Sequence, residues 1–146
     1  MIGLARQLLA DPERPLKAKY GKIRAIRRCI SCLTGCWSDS IIAKKEVTCA
    51  INPSCNNQQF EIKKKTATPI HIAVVGGGPA GLEAARVAHE RGHLVTIFEK
   101  SGELGGSILG CCMVNGKEKM KWYADWIRYQ IADLGIEVKL RTSQTI

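Results

Sequence analysis

Residues 72–88 read IAVVGGGPAGLEAARVA, an apolar run broken by three glycines and followed by a small-residue helix pattern. Gly76, Gly78 and Gly81 fit G-x-G-x-x-G, placed between a strand and a helix. The chemistry requires that position. The first glycine permits the tight turn, the second lets backbone approach a pyrophosphate, and the third lets helix and strand pack closely. The helix N-terminus then faces the negative charge. Pro79 and Ala80 lie within the same turn. Glu99 ends the next apolar run, LVTIFEK, 23 positions after Gly76, with Lys100 behind it. A carboxylate at about that spacing takes the hydroxyls of an adenosine ribose. An ADP-containing cofactor is expected, with no 2′-phosphate at this site; FAD and NAD fit equally. The competing account is a glycine turn beside an exposed glutamate.

The periodicity extends outward from this motif. IHIAVV (70–75), LVTIFEK (94–100) and IEVKLRT (136–142) read as strands, and PAGLEAARVAHERG (79–92) as a helix stopped by Gly92. KEKMKWYADWIRYQIADLG (117–135) reads as a longer helix, with Met120, Ala124, Ile127, Ile131 and Leu134 on one face and Gly135 as its cap. Strand, helix, strand, helix, strand is half of a doubly wound parallel sheet. The second stripe on that helix, Trp122, Trp126 and Tyr129, is assigned to core packing rather than to a surface for another domain.

Upstream the character changes. Cys29, Cys32, Cys36 and Cys49 are spaced C-x2-C-x3-C-x12-C in a segment poor in apolar residues, which is expected to rely on a bound metal for its order. Four soft thiolates suit a [4Fe–4S] cluster or tetrahedral zinc. The spacing is one residue longer than the bacterial ferredoxin run. It also lacks the second C-x2-C knuckle of a zinc ribbon, so iron–sulfur is preferred and zinc stays open. Cys55 is left outside the set, and Cys111 and Cys112 are read as small core residues. Residues 29–60 are expected to be irregular, and FEIKKKTATP (60–69) a polar linker. At the start, MIGLA reads as the tip of a strand, ARQLLADP as a helical turn stopped by Asp11-Pro12, and PERPLKAKYGKIRAIRR as helical in its second half.

Composition narrows the functional classes. With 45% hydrophobic residues in 146, the chain is globular and can hold one ordinary domain, or a small module plus part of a larger fold. The net charge of +9 comes from scattered lysines and arginines without interleaved aromatics, so nucleic-acid binding is not expected. No apolar run approaches a membrane span, and no signal peptide is evident. Seven cysteines without such a signal argue for a reducing compartment, and a cytoplasmic protein is expected.

The order GLARQLLADP, RRCISCLTGC, TCAINP, IAVVGGGPAGLEAARVAHERGHLVTIFEK, LGG resembles the middle of the trimethylamine dehydrogenase and 2,4-dienoyl-CoA reductase family over nearly the whole chain. The resemblance implies a TIM barrel holding FMN, then a four-cysteine [4Fe–4S] segment, then FAD- and NAD(P)-binding domains. Residues 1–28 would be the end of the barrel, 29–66 the cluster segment and linker, and 67–146 the first part of a Rossmann-like domain. Cys29, Cys32, Cys36 and Cys49 match the cluster ligands. Gly76, Gly78, Gly81 and Glu99 match the site for FAD or a structural ADP, and Gly105 and Gly106 match a second glycine pair lining it. Ala5 and Arg6 fall where the last barrel loop meets the FMN phosphate. The resemblance also implies electron exchange between NAD(P)H, FAD, the cluster and FMN, in either direction. Ser31 departs from it, standing where glycine is usual, and so does NPSCNNQQFE after the fourth cysteine. The chain is expected to be an internal fragment, inactive alone, whose partners are the absent barrel and NAD(P) domains. Two other classes compete: a non-catalytic ADP- or FAD-binding module, and a zinc-containing interaction segment fused to a nucleotide fold.

Overall fold

In the computed structural model, residues 2–57 and 65–143 are described. Contacts divide the chain into two units, Met1–Glu61 and Ile62–Ile146. The first half of the FEIKKKTATP stretch, residues 60–64, lies outside the described residues.

The second unit is a mixed α/β structure. Strands β1 (His71–Val75), β2 (Leu94–Glu99) and β3 (Glu137–Leu140) form a parallel sheet in the order β1-β2-β3. His71 pairs with Leu94 and Thr96 with Glu137, which sets the register. Helix α3 (Pro79–Glu90) joins the first two strands, and a short helix α4 (Ser107–Cys111) and α5 (Met120–Asp133) join the last two. These are the parallel crossovers of a Rossmann-like fold, as the periodicity predicts.

Each helix begins and ends for a local reason. Pro79 occupies the first turn of α3, where its fixed φ is pre-organised and its missing N–H costs nothing. Gly92 (φ +93°) and Gly135 (φ +66°) take the left-handed conformation just past α3 and α5. Helix α5 begins three residues later than 117–135 suggests, because Lys117 to Lys119 form a turn.

The core is made where α3 and α5 meet the sheet. Leu82, Ile97, Ile127 and Ile131 are its largest fully buried side chains, each contributing about 1.5–3 kcal/mol. Trp126 is buried with them, against Tyr123 and with the Arg86 guanidinium 6.0 Å from its ring. Arg86 is itself buried and paired with Glu83 (2.6 Å) and Glu90 (2.7 Å). The assignment of the aromatic stripe to the core thus holds for Trp126, while Trp122 and Tyr129 are half-buried. Cys111 and Cys112 are also only half-buried, a correction to their reading as core residues. They belong to α4 and the turn after it, and the Cys112 thiol donates to the Ile108 carbonyl.

The face of the sheet turned from α3 is polar along its middle. His71 Nε2 lies 2.8 Å from Thr96 Oγ1, whose hydroxyl donates to Glu137 at 2.8 Å. Lys139 stands over the Phe98 ring on the same face.

In the first unit, α1 (Arg6–Ala10) matches the expected turn and ends at Asp11. Residues 2–4 form no strand, contrary to the MIGLA reading. The next helix, α2 (Arg14–Lys19), lies in the first half of its segment, and the second half, expected to be the helical one, holds only a short 3-10 turn, Ile23–Ala25. Pro15 suits its first turn, Lys17 reaches back to Asp11 at 2.9 Å, and Gly21 (φ +70°) ends it. The cysteine segment is also less irregular than expected. Thr34–Ile42 forms a wide π-type helix, with Ser38 N–H donating to the Leu33 carbonyl and Ala43 N–H to the Ser38 carbonyl.

Candidate functional site

In the second unit the glycine turn is built as its spacing demands. Gly76 has φ +106°, a conformation open to glycine and rarely to other residues. A Cβ at Gly81 would collide with the Gly76 carbonyl oxygen, so the third glycine is a packing requirement. A Cβ at Gly78, by contrast, would meet nothing within 4 Å. The second glycine therefore faces open space, where a pyrophosphate would approach. Pro79 and Ala80 open α3 directly behind it.

The loop holding Gly105 and Gly106 closes against this turn. Gly105 N–H donates to the Gly77 carbonyl at 2.7 Å, and a Cβ on Gly106 would stand 3.0 Å from Gly78 Cα. Both glycines have positive φ, +123° and +52°. Arg128, on α5, donates to the Leu104 carbonyl and pairs with Glu103 at 3.0 Å, pinning that loop. Arg128 was not foreseen from the sequence; no spacing rule connects it to a loop 24 residues away.

Glu99 is buried rather than exposed, with both carboxylate oxygens held by backbone N–H groups. Oε1 accepts the Ser101 N–H at 2.7 Å and Oε2 the Gly77 N–H at 2.6 Å. The Ser101 N–H first, then that of Gly77, hold its carboxyl below the usual 4.5. Glu99 and Lys100 line a crevice of about 160 Å³ at the C-terminal ends of the strands with Val75, Gly76, Phe98 and Thr142. Ligands of open parallel sheets bind at that edge. Gly77 escaped the motif reading altogether. A Cβ there would stand 2.6 Å from Leu104 Cδ2 and 3.0 Å from Glu99 Oε2, so the middle glycine of the GGG run is needed as well.

In the first unit, Cys29, Cys32, Cys36 and Cys49 line one cavity, with Leu9, Ile30, Leu33 and Ile51 in its wall. Burial pushes the Cys49 thiol up and repulsion from Cys32 and Cys29 adds to this, while the Ile51 and Asn52 N–H groups pull the other way. Cys55 is buried outside the lining, its thiol pushed up by burial and by repulsion from Cys49 and Cys36. Ser31 and Leu33 adopt left-handed conformations, φ +56° and +60°, on either side of Cys32. A Cβ on Gly35 would collide with Thr48, so only glycine lets the Cys36 segment approach the one carrying Cys49.

Among the described residues, no three His, Cys, Asp or Glu side chains converge to hold a metal ion. Four soft thiols around one cavity are a donor set that suits a [4Fe–4S] cluster or a tetrahedral zinc. The cavity is narrow, about 20 Å³, room for one water, so the thiols must turn outward to admit anything larger.

Ala5 and Arg6 are exposed at the start of α1. Arg6 lines the cysteine cavity and also an open hollow of about 500 Å³ that it shares with Leu33, Cys36, Trp37 and Ile41.

Comparison with known proteins agrees with this geometry. Residues 74–127 match the family described as the NAD(P)-binding Rossmann-like domain. The chain is 39% identical over 145 residues to NADH oxidase of Thermoanaerobacter brockii, covering 94% of this chain and 21% of that one. It is 41% identical over 143 residues to cinnamate reductase of Clostridium sporogenes, covering 98% and 21%. The solved complex of 2-naphthoyl-CoA reductase with 2-naphthoyl-CoA superimposes with a TM-score of 0.90 at 32% identity, over 97% of this chain and 22% of that one. The chain thus spans about a fifth of the length of the curated relatives it matches. Similarity runs through both the cysteine segment and the glycine turn: the relatives are flavin-dependent oxidoreductases of the trimethylamine dehydrogenase and 2,4-dienoyl-CoA reductase family, and this chain corresponds to a segment of them.

Proposed function

We propose that this chain is the electron-relay segment of an NAD(P)H-dependent flavin oxidoreductase, with a [4Fe–4S] site at Cys29, Cys32, Cys36 and Cys49 and an FAD or ADP site at the glycine turn. The observation that carries this reading is that all four cysteines line one cavity. A cluster there supplies one-electron exchange, and a flavin can exchange one or two.

The chain's own residues bind and orient. Each thiol binds as thiolate, so loading releases protons. Burial pushes the Cys49 thiol up, and the Ile51 and Asn52 N–H groups offset this only in part. In the second unit, Gly76, Gly78 and the α3 N-terminus face a pyrophosphate, and Glu99 directs the lone pairs its backbone partners leave to a ribose hydroxyl. Gly105 and Gly106 close the wall, and Lys100 adds positive charge at the rim. Arg6 supplies a cation for an FMN phosphate. The substrate is reached through domains that the relatives carry beyond the matched segment, so the segment alone is expected to show no steady turnover with NADH or NADPH.

The test is anaerobic purification with iron, acid-labile sulfide and zinc assays. Four irons and four sulfides per chain are expected from the reading, with sharp loss on replacing Cys29, Cys32, Cys36 or Cys49 by Ala and none for Cys55, Cys111 or Cys112. One zinc per chain without sulfide would falsify it.

A further inference from the structure

Helix α1 is tied to the cysteine segment by a side chain no motif contains. Gln7 Oε1 accepts the Cys29 N–H at 2.9 Å, and Gln7 Nε2 donates to the Arg27 carbonyl at 2.9 Å. One amide thus pairs with alternate residues of an extended segment as a neighbouring strand would. The tie continues beyond it. Arg27 Nη1 donates to the Ile51 carbonyl at 2.7 Å and to Asn52 Oδ1 at 3.1 Å. Asn52 Nδ2 donates to the Leu9 carbonyl at 2.8 Å, which returns to α1. A closed ring of hydrogen bonds therefore joins α1, the residue carrying the first thiol and the turn after the fourth.

We infer that Gln7 is a positioning residue for the cysteine site: it fixes the Cys29 backbone, and with it the first thiolate, relative to the helix that carries Arg6. This rests on the four cysteines being cluster ligands. Only an amide meets both partners, since one is a donor and the other an acceptor. Glutamate keeps the bond from Cys29 N–H, loses the one to the Arg27 carbonyl, and brings a negative charge beside the site. Leucine of similar size loses both bonds. Hydrogen bonding and charge around a cluster are the means by which a protein sets its potential.

The test compares the parent chain with Gln7→Glu and Gln7→Leu, each reconstituted anaerobically with iron and sulfide. Iron content, the electron paramagnetic resonance spectrum after dithionite reduction, the midpoint potential and the decay of visible absorbance in air are read. Gln7→Glu is expected to keep its iron and shift the midpoint to more negative potential. Gln7→Leu is expected to alter the resonance and lose its absorbance several-fold faster. If the leucine variant is insoluble, the glutamate variant decides alone. A Gln7→Glu protein with the parent's midpoint and spectrum overturns the role of Gln7. A parent that takes up no iron and sulfide overturns the cluster reading and this inference together.

Discussion

The Gly77 N–H donates to Glu99 Oε2 at 2.6 Å, joining the middle of the glycine turn to the end of the second strand. The acid expected to meet a ribose is therefore also a structural brace of the turn that meets the pyrophosphate. Gly77 has to be glycine for the same reason, since a Cβ would occupy the space of that carboxylate.

Because its folded-state pKa is depressed, Glu99 contributes stability at neutral pH that is lost as pH falls through the folded value, below the usual 4.5. Glu99→Gln is expected to cost about 1.5–3 kcal/mol at pH 7. The difference from the parent should shrink under acid. Urea denaturation of both proteins at pH 7 and at a pH below 4.5 checks this; a gap that widens under acid contradicts the brace.

Substitutions along the glycine turn should separate binding from folding. A Cβ at Gly78 meets nothing within 4 Å, so Gly78→Val is expected to keep the parent's melting temperature and lose titratable ADP or FAD binding. Gly81→Ala meets the Gly76 carbonyl and is expected to cost at least about 1–3 kcal/mol of stability. Parallel thermal melts and nucleotide titrations distinguish them, and equal binding by parent and Gly78→Val would remove the pocket assignment.

Ser31→Gly is expected to stabilise the first unit by about 1 kcal/mol, because Ser31 holds φ +56° where glycine carries no Cβ penalty. The resemblance placed glycine at this position, and the left-handed backbone is the physical reason. A denaturation midpoint unchanged or lowered by the substitution would contradict it.

Asp11 should be the most sensitive single side chain of the first unit. It is buried and accepts the Arg27 N–H at 2.9 Å, the Glu13 N–H at 3.2 Å and the Lys17 ammonium at 2.9 Å. Asp11→Ala leaves those donors without an acceptor and is expected to cost about 1.5–3 kcal/mol. Limited proteolysis is the readout: cleavage should accelerate within residues 1–57 and not within 65–143.

The Rossmann-like half was legible because its signals are local. Strand and helix periodicities, Gly92 and Gly135 as stops and the placement of Gly76, Gly78 and Gly81 each depend on a few neighbouring residues. The first unit was read less well because it is held by long-range polar contacts. Asp11 could be seen as a helix stop, but not as the acceptor for a backbone 16 residues away. Gln7 and Asn52 carry no pattern at all. Gly35 is needed for the close passage of Thr48, a contact 13 residues away in sequence. Helix α2 forms ahead of the expected half because Pro15 and Asp11 organise its beginning.

The alternation at Ser31 and Leu33 has a consequence for how the cysteine segment would be loaded. Left-handed residues flank Cys32, which itself keeps negative φ. Ser31 and Leu33 thus bend the chain on both sides of Cys32 before any inorganic sulfide or thiolate charge arrives. Under the proposed loading, reorganisation falls on the thiol rotamers around the narrow cavity and not on that bend.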